Sequence, residues 1–252
     1  MTLLVTVFVT EGIVMASDSR LSFNQTQLVN NADGTPSKQI NNVGIHYSDT
    51  SYKTFVTKKG VGISSCGDAA INGSPIAGYI DTFVRENADT SVQDIPQKLL
   101  DYFRALNPNL SSEFHVAGYQ ENEGKLEQKI YRVFTSPHFE PDKRVEIVNT
   151  QDSGAMWNGQ VDVLSKLINP SYFKRSDVNG NDIYVPNQHY GILWQYFTLQ
   201  DAIDFAESAI KMTIDCIRFQ QRSKNVGGPI DILVIKPDES EWLIQKKLHA
   251  SG

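Results

Sequence analysis

Apolar and polar residues alternate from the second residue onward. Leu3, Val5, Val7 and Val9 fall on one face of an extended segment, and Thr2, Leu4, Thr6 and Phe8 on the other. β-Branched residues dominate, Thr10-Glu11-Gly12 interrupts, and Ile13-Val14-Met15-Ala16 resumes, which is the signature of a β-hairpin. A polar stretch from about Asn24 to Asp49 reads as an inserted loop. Tyr52–Thr57, a Lys58-Lys59-Gly60 turn and Val61–Cys66 make a second hairpin. Ser74-Pro75 opens a helix, serine as the cap and proline in the first turn. That helix carries Ile76, Tyr79, Ile80 and Phe83 on one stripe and ends near Asn87. A second helix spans roughly Val92 to Leu106 and stops at Asn107-Pro108.

Three strand-like runs follow, Glu113–Tyr119, Lys129–Thr135 and Arg144–Asn149, and then a helix around Trp157–Leu167. Residues 169–188 form an irregular excursion. Within it, Asp177–Asp182 imitates the start of a calcium loop, but Asp182 stands where glycine is needed, and Asn179-Gly180 suits a hairpin turn better. The clearest helix opens at Thr198-Leu-Gln-Asp201, a capping box with aspartate in place of glutamate. Its apolar positions Leu199, Ile203, Ala206, Ile210, Ile214 and Ile217 recur every three or four residues. Ile230–Ile235 and Trp242-Leu243-Ile244 close the pattern. No repeat or linker divides the chain, so the expectation is a single α+β layered domain over residues 1–252, with insertions near 24–49 and 169–188.

Composition narrows the function. The 252 residues are 40% hydrophobic with a net charge of −6, enough apolar side chains for a core and too acidic for a nucleic-acid binder. The two cysteines, Cys66 and Cys216, build neither a disulfide framework nor a four-cysteine zinc site and fit a reducing compartment. The five histidines show no ligand spacing, so no metal or cofactor is expected. No run approaches the ~20 apolar residues of a membrane span. The N-terminus has no basic leader-like segment, and the expected location is cytoplasmic.

Hairpin arithmetic then gathers distant polar residues. With Thr10-Glu11 as the turn, Val9 pairs with Gly12, and Thr2 comes beside Ser17-Asp18-Ser19-Arg20. With a Lys58-Lys59 turn, Lys53 comes opposite Ser64, three residues before Gly67. If the hairpins lie side by side, Thr2, Asp18, Lys53 and the Gly67 N–H share a corner. After loss of Met1, Thr2 would carry a hydroxyl and an α-amine of pKa ~7.7–8.0, a nucleophile with its own general base. Lys53 would lower that pKa, Asp18 would hold the lysine, and Gly67 N–H would serve as an oxyanion donor. Cys66 reads as a buried thiol.

Thr2, the run Gly12-Ile-Val-Met-Ala-Ser-Asp18-Ser-Arg20, and Lys53 followed by Gly62-Ile-Ser-Ser-Cys-Gly67 resemble the corresponding elements of proteasome β-type subunits, which are N-terminal-nucleophile (Ntn) hydrolases. Arg222-Ser-Lys-Asn-Val226-Gly-Gly-Pro-Ile-Asp is similar to the bacterial ancestral-β branch, the Anbu-type proteasome homologues. The resemblance implies a four-layer αββα sandwich and a threonine hydrolase of peptide or amide bonds. It also implies a supporting role for Ser153, from Asp152-Ser153-Gly154, and for Ser223, which stands where proteolytic relatives carry aspartate. Small residues near the primary pocket, Ser51, Ser65 and Ala69, imply a shallow specificity pocket. Homo-oligomerisation is expected, because Leu99, Leu100, Tyr102, Phe103 and Leu106 cover a wide arc, and Phe205, Met212 and Phe219 lie off the main stripe of the long helix. Two alternatives stay open: a non-catalytic assembly subunit of the same fold, and an amidase or acyl-transferase using the same nucleophile.

Overall fold

The computed structural model describes residues 2–30, 36–148 and 153–248, with 23–30 and 36–47 described as backbone only. In chain order the first strands are β1 (Leu3–Val9), β2 (Gly12–Ser17), β3 (Leu21–Asn30), β4 (Pro36–Ser48), β5 (Thr54–Val56) and β6 (Gly62–Gly67). Short β7 (Ala70–Ile71) and β8 (Ser74–Pro75) precede α1 (Ile76–Glu86) and α2 (Ile95–Leu106). Then come β9 (Ser112–Asn122), β10 (Lys125–Phe134), β11 (Val145–Ile147), β12 (Gly154–Gly159) and α3 (Asp162–Ile168). The chain continues with β13 (Tyr172–Ser176), β14 (Asp182–Pro186), α4 (Leu199–Phe219), β15 (Asp231–Ile235) and β16 (Ser240–Ile244).

Two five-stranded antiparallel sheets organise the molecule, one in the order β12-β1-β2-β15-β16 and the other β11-β10-β9-β6-β5. Strand alternation decides what each face touches. Leu3, Val5, Val7, Val14, Ala16, Ile232 and Val234 point outward from the first sheet onto Ala202, Ala206, Ala209 and Ile210 of α4 and Val163 and Leu164 of α3. Ile63, Phe114, Val116, Tyr131 and Val133 point outward from the second sheet onto Ile80 and Phe83 of α1 and Leu99 and Phe103 of α2. The inward faces meet each other, with Phe8, Ile13, Met15, Leu233 and Ile235 against Ala117 and Ile130. The result is a mixed α/β molecule in which helices cover the outer faces of two stacked sheets.

Several expectations are corrected. The polar stretch 24–49 belongs to a long antiparallel pair, β3 with β4; its Asn- and Gln-rich strands have no apolar face to betray them. Residues 169–188 contain a second hairpin, β13–β14, whose turn carries Asn179-Gly180, with Asp177 accepting from the backbone amides of Asn179 and Asn181 at 2.8 Å. Helix α1 starts one residue later than expected, because Ser74-Pro75 pairs with Ala70-Ile71 instead of capping. The segment read as a helix from Trp157 is the strand β12, and α3 begins only at Asp162. At α4 the capping box is complete, with Thr198 and Asp201 each bonding the other's backbone, a device worth about 1 kcal/mol. Leu99, Leu100 and Phe103 are buried within the fold, whereas Leu106, Met212 and Phe219 stay exposed. No helix of the described residues is long and apolar enough to cross a membrane.

Candidate functional site

The β1–β2 pairing runs from Val9↔Gly12 to Leu4↔Ser17, so the two-residue turn carries Thr2 to the stretch that follows Ser17. There the chain leaves the sheet, and the carboxylate of Asp18 takes over its organisation. Its Oδ1 accepts from the backbone N–H of Leu3 at 3.1 Å and from Lys53 Nζ at 2.8 Å. Its Oδ2 accepts from the N–H of Arg20 at 3.1 Å and of Gly227 at 3.0 Å. One buried anion thus ties the start of β1, the end of β2, the loop before β5 and the loop before β15.

Lys53 is buried beside it and donates a second bond to the Arg20 carbonyl at 2.6 Å. Its register differs from expectation by one residue. Thr54, not Lys53, faces Ser64, because the turn closes as Thr57–Val61 with Gly60 as an extra residue at φ +79. Lys53 therefore lies opposite Ser65, whose N–H donates to the Lys53 carbonyl at 2.9 Å. Burial pushes the Lys53 ammonium below its ordinary pKa, while Asp18 opposes that shift by charge and hydrogen bond.

Thr2 is buried at the mouth of β1, and two glycines shape its surroundings. Gly159, at φ +96 and the end of β12, lies so close that a Cβ there would sit 1.9 Å from the Thr2 carbonyl oxygen. That carbonyl accepts from the N–H of Gln160 at 2.7 Å. Across the cleft Gly67 ends β6 at φ +105, where a Cβ would meet the Ser111 carbonyl at 2.4 Å. Both positions exclude any other residue without backbone movement. Thr2, Arg20, Lys53 and Gly67 line one cleft, together with Ser51, Ser65 and Ala69.

Four of the six expected residues therefore meet. Ser153 does not. Gly154 pairs with Phe8 and Gly159 with Leu3, so Ser153 lies at the far end of the strand from Thr2, and Gly159-Gln160 occupies the place assigned to it. Asp152 lies outside the described residues. Ser223 is half-buried in the loop after α4, between Arg222, whose guanidinium pairs with Asp162 at 2.7 Å, and Lys224, whose carbonyl accepts from Arg20 Nη1 at 3.1 Å. Arg20 also grips Asp49 through Nε and Nη2 at 2.7 and 2.8 Å, pinning together the two ends of the β3–β4 hairpin.

Sequence reasoning missed a polar layer between the sheets. Ser17, Thr54 and Ser64 form a chain of hydroxyls, each contact 2.9 Å. His115 on β9 is fully buried; its Nε2–H donates to Asn158 Oδ1 at 2.8 Å, and its Nδ1 accepts from the Thr6 hydroxyl at 2.9 Å. Asn158 in turn donates to Glu113. Burial holds the imidazole neutral, its pKa pushed down to about 4. Burial and the neighbouring Glu113 push the Cys66 thiol up, which keeps it from being a nucleophile. A cluster of His, Cys, Asp or Glu able to hold a metal is absent among the described residues.

Two stacked antiparallel sheets flanked by helices, with a buried threonine, lysine and aspartate at one end, define a distantly proteasome-like fold. Among solved structures the chain is similar to a Gly-1 mutant of Anbu, a bacterial proteasome-like protein, from Hyphomicrobium sp. strain MC1, with a TM-score of 0.55 and 13% identity over 96% of this chain and 87% of that one. No protein-family model matches the sequence, and no curated protein matches it. At this identity the likeness concerns the fold.

Proposed function

We propose that this protein is an N-terminal threonine hydrolase of amide bonds, built as a four-layer αββα sandwich of the Ntn type. The observation that carries this reading is the buried Lys53–Asp18 pair, 2.8 Å apart, opening onto the same cleft as Thr2 and Gly67. Taking two charges out of water is costly, and here the N–H groups of Leu3, Arg20 and Gly227 on Asp18 offset part of that cost. Here the ammonium would hold the α-amine of Thr2, freed by loss of Met1, below its usual pKa. That amine takes the hydroxyl proton as Thr2 Oγ attacks the substrate carbonyl. Gly67 N–H stabilises the oxyanion, the amine hands its proton to the leaving group, and water hydrolyses the Thr2 ester. Lys53 acts in its charged form, so its deprotonation sets the alkaline limb of the rate. Ser51, Ser65 and Ala69 leave room for a substrate side chain without selecting one strongly, and the substrate class is a peptide or a simpler amide.

Reaction with a fluorescent peptide vinyl sulfone, followed by mapping of the labelled residue and intact mass, tests this. The expected label is on Thr2 in protein lacking Met1. Thr2→Ser should retain part of the reaction, and Thr2→Ala should lose all of it while keeping the fold. Wild-type rates in Thr2→Ala would end the reading and leave the non-catalytic subunit as the better one.

A further inference from the structure

A second buried ion pair lies beside the first. Asp231 opens β15 directly opposite Ser17, the residue before Asp18, and is fully buried. Its carboxylate receives both ends of Lys246, the backbone N–H at 2.8 Å on Oδ1 and the side-chain ammonium on Oδ2. The Lys246 side chain is only 6% exposed. Its Nζ sits 4.2 Å from the centroid of the Tyr52 ring, and the Tyr52 hydroxyl donates to the Lys246 carbonyl at 3.2 Å. Tyr52 immediately precedes Lys53, and Thr54, just after it, bonds Ser17. The segment carrying the lysine is therefore gripped on one side by the Lys246–Asp231–Tyr52 loop and on the other by the hydroxyl of Ser17.

Stability does not account for this pair. Buried ion pairs are often no better for stability than apolar residues of the same volume. Position does account for it. We propose that Lys246 is a positioning residue for the site: anchored on Asp231 and covered by Tyr52, it braces residues 51–53 and so sets where the Lys53 ammonium stands. This rests on the hydrolase reading above and adds to it a residue close to the end of the chain. The other charged or titratable groups around Lys53 are Asp18 from the end of β2, Cys66 from β6 and, in the hydrolase reading, the α-amine of Thr2. The Arg20 guanidinium is committed to Asp49. Lys246 acts on Lys53 in the same sense as burial, favouring loss of its proton.

Lys246→Met alone would strand the Asp231 carboxylate, so the informative variant is Lys246→Met with Asp231→Asn, which removes both charges and keeps both shapes. Circular dichroism establishes that it folds. Labelling of Thr2 by the peptide vinyl sulfone is then measured per folded molecule, and the double variant should be slower by roughly tenfold or more. Lys246→Arg, which keeps a cation on the ring and on Asp231, should retain the wild-type rate. Labelling of the folded double variant at the wild-type rate, or of Lys246→Arg as slowly as the double variant, overturns the proposal. Heteronuclear NMR of the Lys53 side chain tests the same displacement without any activity: a signal shifted in the double variant and restored in Lys246→Arg supports the proposal, and an unmoved signal overturns it. Absence of label on wild-type Thr2 would instead count against the hydrolase reading.

Discussion

The layer between the two sheets has two ends of opposite chemistry. At one end Phe8, Ile13, Met15, Leu233 and Ile235 meet Ala117 and Ile130 as hydrocarbon. Following the same inward faces along the same strands, Phe8 gives way to Thr6 and Thr2, Met15 to Ser17, Leu233 to Asp231, and Ala117 to His115. Every one of these polar residues is buried, yet hydroxyls, an imidazole and two lysine–aspartate pairs replace carbon within a few residues. The apolar end holds the sheets together through burial, at about 25 cal/mol per Å². The polar end is held by specific hydrogen bonds, each of which matters most when its partner is removed. A site assembled this way need not be supported by its own stability, since the other end of the layer and the two helix-covered faces supply that.

This contrast can be broken from either side. Leu233→Ala, at the apolar end, should lower unfolding stability by about 3–4 kcal/mol through lost burial and a residual cavity. Denaturant titration measures it, and labelling of Thr2 per folded molecule should be unchanged. Lys53→Arg, at the polar end, should slow labelling per folded molecule by ~10²-fold, because a planar fork cannot replace a compact ammonium beside Asp18 and the Arg20 carbonyl. A change within a few-fold would make Lys53 a structural residue. The smallest effect concerns His115. Its pKa is held down to about 4 in the folded protein, so the unfolded chain binds the proton first as pH falls below about 6.5. Stability from the neutral imidazole is full above that pH and is lost as the pH falls toward 4. Between pH 7 and 5 the wild type should lose about 2 kcal/mol more than His115→Gln, which keeps neutral hydrogen bonding but does not titrate. Parallel pH profiles would show that the imidazole contributes nothing to the acid response.

What was legible in the sequence follows from what constrains each element. The β1–β2 register could be read because a two-residue turn between alternating strands leaves one solution, and with it came the neighbourhood of Thr2 and Asp18. The β5–β6 register slipped by one because nothing in Lys58-Lys59-Gly60 announces that Gly60 adopts positive φ as an added turn residue. Strand β12 was missed because Gly154-Ala-Met-Trp-Asn-Gly159 has no β-branched residue, and with it the approach of Gly159 and Gln160 to Thr2. Ser153 came from the resemblance of Asp152-Ser153-Gly154 to a family element. His115 and Lys246 belong to no motif; His115 finds Thr6 and Asn158 on strands far away in sequence, and Lys246 is covered by Tyr52, 194 residues earlier. Asp231 did carry a signal, a carboxylate at the head of a run of Ile, Leu and Val in a strand buried on both faces, which is tolerable only beside a cation.

The position of β1 inside its sheet has a consequence for the order of events during synthesis. The strand that follows Thr2 pairs with β12, some 150 residues later in the chain. The Asp18 carboxylate waits still longer for the Gly227 amide, 209 residues downstream. Contacts of such long range close late, after local helices and hairpins have formed. A chain synthesised only as far as β11 therefore carries Thr2 but not the corner that Gly159 and Gly227 complete around it. The corner around Thr2 is among the last parts of the fold to be completed, and its assembly requires β12 and the loop before β15 to be in place.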